Sequence, residues 1–99
     1  MIFLHGMTVK WSKRALSSLA GITEYIEQDN PIRARTFVQE IRQKSNFLEQ
    51  FQNLGRAGRV IGTRELVAHK NYILVYRVRG DEVQILEVMH TSRKFPKTL

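Results

Sequence analysis

The segment Arg64–Pro96, RELVAHKNYILVYRVRGDEVQILEVMHTSRKFP, decides the fold. Three runs rich in β-branched and aromatic residues, Arg64–Ala68, Tyr72–Arg79 and Glu82–His90, alternate with turn-forming pieces, which predicts a three-stranded antiparallel meander. Gly80-Asp81 suits a two-residue hairpin loop, because glycine reaches positive φ without a steric penalty. If Arg79 faces Glu82, the register pairs Arg77 with Gln84, Val75 with Leu86, Ile73 with Val88 and Asn71 with His90 on one face. The other face carries Tyr72, Leu74, Tyr76 and Val78 beside Val83, Ile85, Glu87 and Met89. A connection of His69-Lys70-Asn71 sets Ala68 opposite Tyr72 and Arg64 opposite Tyr76, with Arg64 and Arg77 on opposite sides of the sheet. A connection one residue shorter or longer reverses this. Both faces are largely apolar, so helices are expected on one and a partner protein on the other.

Working outward, Thr8–Trp11 reads as a further short strand, and Ser12 as the cap of a helix running to about Gln28. Ala15, Leu19, Ile22 and Ile26 recur on one face of that helix, broadened by Leu16. Asn30-Pro31 restarts the chain, with Asn30 capping and Pro31 at a position where its missing N–H costs nothing. The second helix carries Ala34, Phe37, Val38, Ile41, Ser45, Leu48 and Phe51 on one side. Two helices joined so tightly form an antiparallel hairpin. Gln52–Thr63 (QNLGRAGRVIGT) follows neither period and reads as loop; it has no GxxxxGK[ST] pattern to cradle a phosphate. The chain should leave the sheet at about Thr91, and Pro96 argues against another strand. The expected fold is therefore α+β: an antiparallel sheet, made of the N-terminal strand plus the C-terminal meander, packed on an N-terminal two-helix hairpin.

A chain of 99 residues makes one domain, 1–99, and can bury a core without staples. Residues 1–6 read as a disordered extension or an upstream start before Met7, and 97–99 as a tail. Without cysteine there is no disulfide scaffold, zinc ribbon or thiol chemistry, which fits a cytoplasmic protein. No apolar run reaches membrane-spanning length. Sixteen Lys and Arg against nine Asp and Glu give +7, and residues 51–99 hold 9 basic against 4 acidic side chains. The sheet half thus carries most of a field that attracts phosphates or acidic proteins.

His5, His69 and His90 are too scattered for a metal site, so neither metal nor cofactor is expected. A basic group remains: Arg64, Arg77, His90 and Arg93, with Lys70, Arg79 and Lys94. In a metal-free RNA-cleaving site, arginines would hold the scissile phosphate and His90 would move the proton.

The order strand, helix hairpin, basic loop and meander, with the segments GTRELVAHKNYILVYRV and VQILEVMHTSRKFP, resembles the RelE/ParE superfamily of type II toxin–antitoxin toxins over about Met7–Pro96, and within it the ParE branch. The resemblance implies one fold with two activities. Members like RelE cut messenger RNA on the ribosome; in this sequence Arg64, Arg77 and His90 would serve as catalytic residues. Members like ParE poison DNA gyrase by trapping its DNA-cleavage complex, without a hydrolytic site. Phe95 stands in the tail where nuclease members often place a tyrosine, and a phenyl ring transfers no proton, so the gyrase activity is the expected one. The resemblance further implies that the tail, Arg93, Lys94 and Phe95, engages the target. It implies too that a cognate antitoxin lays a helix and an extended acidic segment over Tyr72, Leu74, Tyr76, Arg77 and Arg64, in a heterotetramer or larger complex.

Overall fold

The computed structural model describes residues 7–96 and Leu99, so the expectation for residues 1–6 lies outside the described residues. Both helix starts follow from their caps. The Ser12 hydroxyl accepts from the Ala15 N–H at 3.0 Å and opens α1 (Lys13–Asp29); the Asn30 side chain accepts from the Arg33 N–H at 3.0 Å and opens α2 (Pro31–Phe47). With Asn30 alone between them, the helices pack together as the expected hairpin.

Around them lie β1 (Thr8–Trp11), β2 (Arg56–Ala57), β3 (Arg64–His69), β4 (Tyr72–Arg79) and β5 (Glu82–His90), in one five-stranded sheet of order β1-β5-β4-β3-β2. The sheet is mixed, not wholly antiparallel: β1 runs parallel to β5, with Thr8 beside Glu82 and Trp11 beside Ile85. Parallel neighbours need a long crossover, which everything between β1 and β5 supplies. The segment expected as pure loop contributes β2, whose two residues, pairing Arg56 with Glu65 and Ala57 with Arg64, are too few to show a period.

The hairpin register begins as expected, Arg79 with Glu82 and Arg77 with Gln84, and Gly80 takes φ +62° in the turn. A bulge then breaks it. Tyr76 pairs with Ile85 but Val75 with Glu87, so Val75–Leu86 and Ile73–Val88 give way to Ile73–Met89 and Tyr72–His90. One extra residue inverts every later side chain. Val88, expected beside Ile73 and Val75, joins Leu74 and Ile85 under the helices, and Met89 joins Ile73 and Val75 on the far face. Between β3 and β4 a second irregularity sets His69, not Ala68, opposite Tyr72, while Arg64 faces Tyr76 as expected.

The main core joins Ala15, Phe37, Ile41 and Leu48 to Leu66, Leu74, Tyr76, Val83, Ile85 and Val88. Leu16 and Phe51, expected in the helix stripes, are half exposed; Leu16 lies at the margin of its stripe, and Phe51 follows the end of α2. The far face is partly covered too. Ile73, Val75 and Met89 are 1%, 0% and 2% exposed, because Phe95 and Leu99 from the tail pack on them. The chain's own tail thus takes the part of this face at Ile73, Val75 and Met89 that was expected to meet a partner, whereas Val67, paired with Ile73, stays 53% exposed.

Candidate target-binding surface: the loop and tail over the sheet

Besides the pairing of β2 with β3, side-chain contacts hold the loop between α2 and β3 to the sheet. The buried Tyr76 phenol donates to the Gln52 carbonyl at 2.6 Å and accepts from the Gly55 N–H at 2.9 Å. Gly55 lies so close that a Cβ there would come within 2.8 Å of the Tyr76 ring and of the Glu65 carbonyl. Burial raises the Tyr76 phenol above its usual pKa, against the Gly55 N–H and the Arg64 guanidinium, which pull it down. A further contact is made by Glu65, whose side chain is 1% exposed. It accepts from the Arg59 backbone N–H at 2.9 Å, from Arg59 Nε and Nη2 at 3.2 Å each, and from Arg56 Nη2 at 3.2 Å. Burial alone would raise its pKa; the Arg59 and Arg56 hydrogen bonds outweigh that and hold the carboxyl below its ordinary value. Sequence reading passed over Glu65 because a lone acid in a strand carries no pattern. Its one signal was the type of residue, a charge at a position whose neighbours Leu66 and Ala68 are core.

The expected RNA-cleaving set does not converge. Arg64 donates to the Gly55 carbonyl at 2.7 Å, on the Tyr76 side of the sheet. Arg77 donates to the Gln84 side chain at 2.6 Å, one residue on from Tyr76 and so on the opposite face. His90 pairs with Tyr72 at the other end of β4, its ring 5.0 Å edge-on from the tyrosine and its Nδ1 facing the Ser92 N–H and hydroxyl. The Tyr72 and Tyr76 rows lie four residue steps apart along β4, a distance of about 13 Å. The bulge is what carries His90 to the Tyr72 side, and no hydrogen bond or ion pair joins His90 to either arginine among the described residues.

The expected antitoxin set divides as well. Leu74 and Tyr76 are fully buried beneath the helices and offer no surface, since both point into the main core. Tyr72 is half-buried, 4.9 Å from the Phe37 ring, and Arg64 and Arg77 are partly accessible. In the tail, Arg93 and Lys94 are exposed, whereas Phe95 is half-buried beneath the Arg59 guanidinium, 4.3 Å from its ring centre. Elsewhere, a groove of about 230 Å³ between β1 and the helices is lined by Val9, Trp11, Leu16, Leu19 and Arg42 among others. No group of three or more His, Cys, Asp or Glu that could hold a metal occurs among the described residues. No described helix is long and apolar enough to cross a membrane.

The chain matches the family described as "ParE toxin of type II toxin-antitoxin system, parDE" over residues 9–95, and it belongs to that family. It is 41% identical to "Putative toxin Y4kP" of Sinorhizobium fredii over 92% of this chain and 95% of that protein, and 31% identical to Toxin RelE2 of Caulobacter vibrioides over 86% and 96%. Among solved structures it is similar to a chain of the chromosomal ParDE system of P. aeruginosa, with TM-score 0.80 and 30% identity over 87% of this chain and 97% of that one. It shares its fold with the Helicobacter pylori protein HP0894 at TM-score 0.59, 20% identical over 90% and 99% of the two chains.

Proposed function

We propose that this ParE-type toxin acts on DNA gyrase by protein contact, trapping the DNA-cleavage complex, and that a cognate antitoxin neutralises it. The observation that supports contact over bond-making is the separation of Arg64, Arg77 and His90, each held by a different partner. Phosphoryl chemistry needs its cations and its proton carrier around one scissile bond. The exposed cations Arg93 and Lys94, beside a phenylalanine that carries no proton, form the strip that engages the target. Tyr72, Arg64 and Arg77 keep their place as antitoxin contacts; the apolar share passes from Leu74 and Tyr76 to the groove at Leu16 and Leu19. The expected outcome is that purified protein blocks gyrase supercoiling and accumulates linear plasmid. Arg93→Ala with Lys94→Ala should weaken that inhibition about tenfold, on the scale of two charged contacts at a protein interface. Full supercoiling activity at stoichiometric excess of toxin, or codon-phased messenger cuts on induction, would reject this reading.

A further inference from the structure

The tail, 91–96 and Leu99, forms no helix or strand among the described residues. Its backbone donates from Thr91 to the Asn71 carbonyl at 2.8 Å, from Ser92 to His90 Nδ1 at 3.1 Å and from Arg93 to the His90 carbonyl at 3.0 Å, among the described residues. What holds it further out is a side-chain relay. Both oxygens of the buried Glu65 carboxylate are committed to Arg59, Oε2 to the backbone N–H and Nε, Oε1 to Nη2. That fork fixes the guanidinium plane as well as its position, because the nitrogens of a guanidinium donate in one plane. The fixed cation lies over the Phe95 ring, and the ring with Leu99 packs on Ile73, Val75 and Met89.

We propose that Glu65 is a positioning residue for the tail: through Arg59 it clamps Phe95 onto the sheet and so presents Arg93 and Lys94 as a preformed contact strip. That last role rests on the target reading above; the clamp does not. A tail ordered before encounter loses less conformational entropy on binding than a free arm would. Arginine suits the place better than lysine: an ammonium can sit over a ring, but only the planar guanidinium forks both carboxylate oxygens and stacks on the ring at once. A merely structural Glu65 would fasten the Gly55–Thr63 loop and leave the tail indifferent to it.

The test is native trypsin cleavage of the full chain at Arg93 and Lys94, followed by mass spectrometry at a temperature well below each variant's measured Tm. Arg59→Lys and Phe95→Leu should each speed cleavage about two- to fivefold, the population change that a cation–π contact at a partly exposed site supports. Phe95→Tyr keeps the ring and should cleave at the wild-type rate. The double variant Arg59→Lys, Phe95→Leu should be no faster than the faster single, because both remove one contact. Glu65→Gln should match Arg59→Lys. The clamp is overturned if Arg59→Lys and Phe95→Leu leave the rate unchanged, if their effects multiply, or if Glu65→Gln lowers Tm while tail cleavage stays wild-type. In the gyrase assay Arg59→Lys should raise the inhibitory concentration about two- to fivefold; equal potency overturns the presenting role. If wild-type protein does not inhibit gyrase at all, the target reading fails while the cleavage series still decides the clamp.

Discussion

Leu74 and Val75 are neighbours on β4 and both fully buried, yet what buries them differs. Leu74 lies under two helices that contribute Ala15, Phe37, Ile41 and Leu48 to one continuous core. Val75 lies under Phe95 and Leu99 from a tail whose described residues form no helix or strand, with a loop arginine stacked over the phenylalanine. Equal burial at the strand thus hides unequal cover. The helix side is held by area, spread over many residues; the tail side hangs on a few contacts, among them those of Arg59, half exposed and paired with the buried Glu65.

Truncating the cover on each side should expose that inequality. Phe37→Ala removes a fully buried ring from the helix side and should cost about 3–5 kcal/mol by urea unfolding. A cost below about 1 kcal/mol would erase the distinction between the faces. Tyr76→Phe should cost about 1–3 kcal/mol, because the buried Gly55 N–H and the Gln52 carbonyl lose their shared partner. With its phenol raised in the fold, Tyr76 adds stability that is complete below its unfolded pKa of about 10 and is lost as pH climbs above it. The cost of Tyr76→Phe should therefore shrink at strongly alkaline pH.

Glu65→Gln should cost about 2 kcal/mol at neutral pH, since the carboxylate that gathers Arg56 and Arg59 is lost from a buried position. Its carboxyl is lowered in the fold, so its contribution is present above the unfolded value of about 4.3 and is lost as pH falls through the folded one. Urea midpoints of wild-type and Glu65→Gln protein should accordingly converge as pH falls toward 3, and parallel curves would remove Glu65 from the acid response. The smallest effect belongs to the tail. Phe95→Ala should cost under about 1 kcal/mol, since the ring is only half-buried and the tail can settle again over Ile73 and Val75.

Much of this was legible in the sequence, for local reasons. Ser12 and Asn30 announce their helices because a cap is written within four residues, and Gly80-Asp81 fixes a hairpin because the turn constrains its neighbours directly. The meander and helix stripes follow from periods of two and 3.6, and the segments around Arg64–Arg77 and His90–Arg93 carried the family resemblance. The candidate site was legible only in part. Arg93, Lys94 and Phe95 stood out by charge and place, but Arg59 and Glu65 belong to a loop and a strand whose relation no period expresses.

What the amino-acid order determined was each element by itself, since hydrogen-bonding caps, turn dihedrals and alternating burial act between residues close along the chain. Only the folded molecule decided which face each residue after Leu86 takes, because one inserted residue inverts the alternation without disturbing its pattern. It likewise decided that Phe95 and Leu99 cover Ile73, Val75 and Met89 on the far face and that Arg64, Arg77 and His90 stand apart. Those outcomes depend on which distant segments reach one another in space, and apolar burial, which drives them, has no direction until the strands have paired.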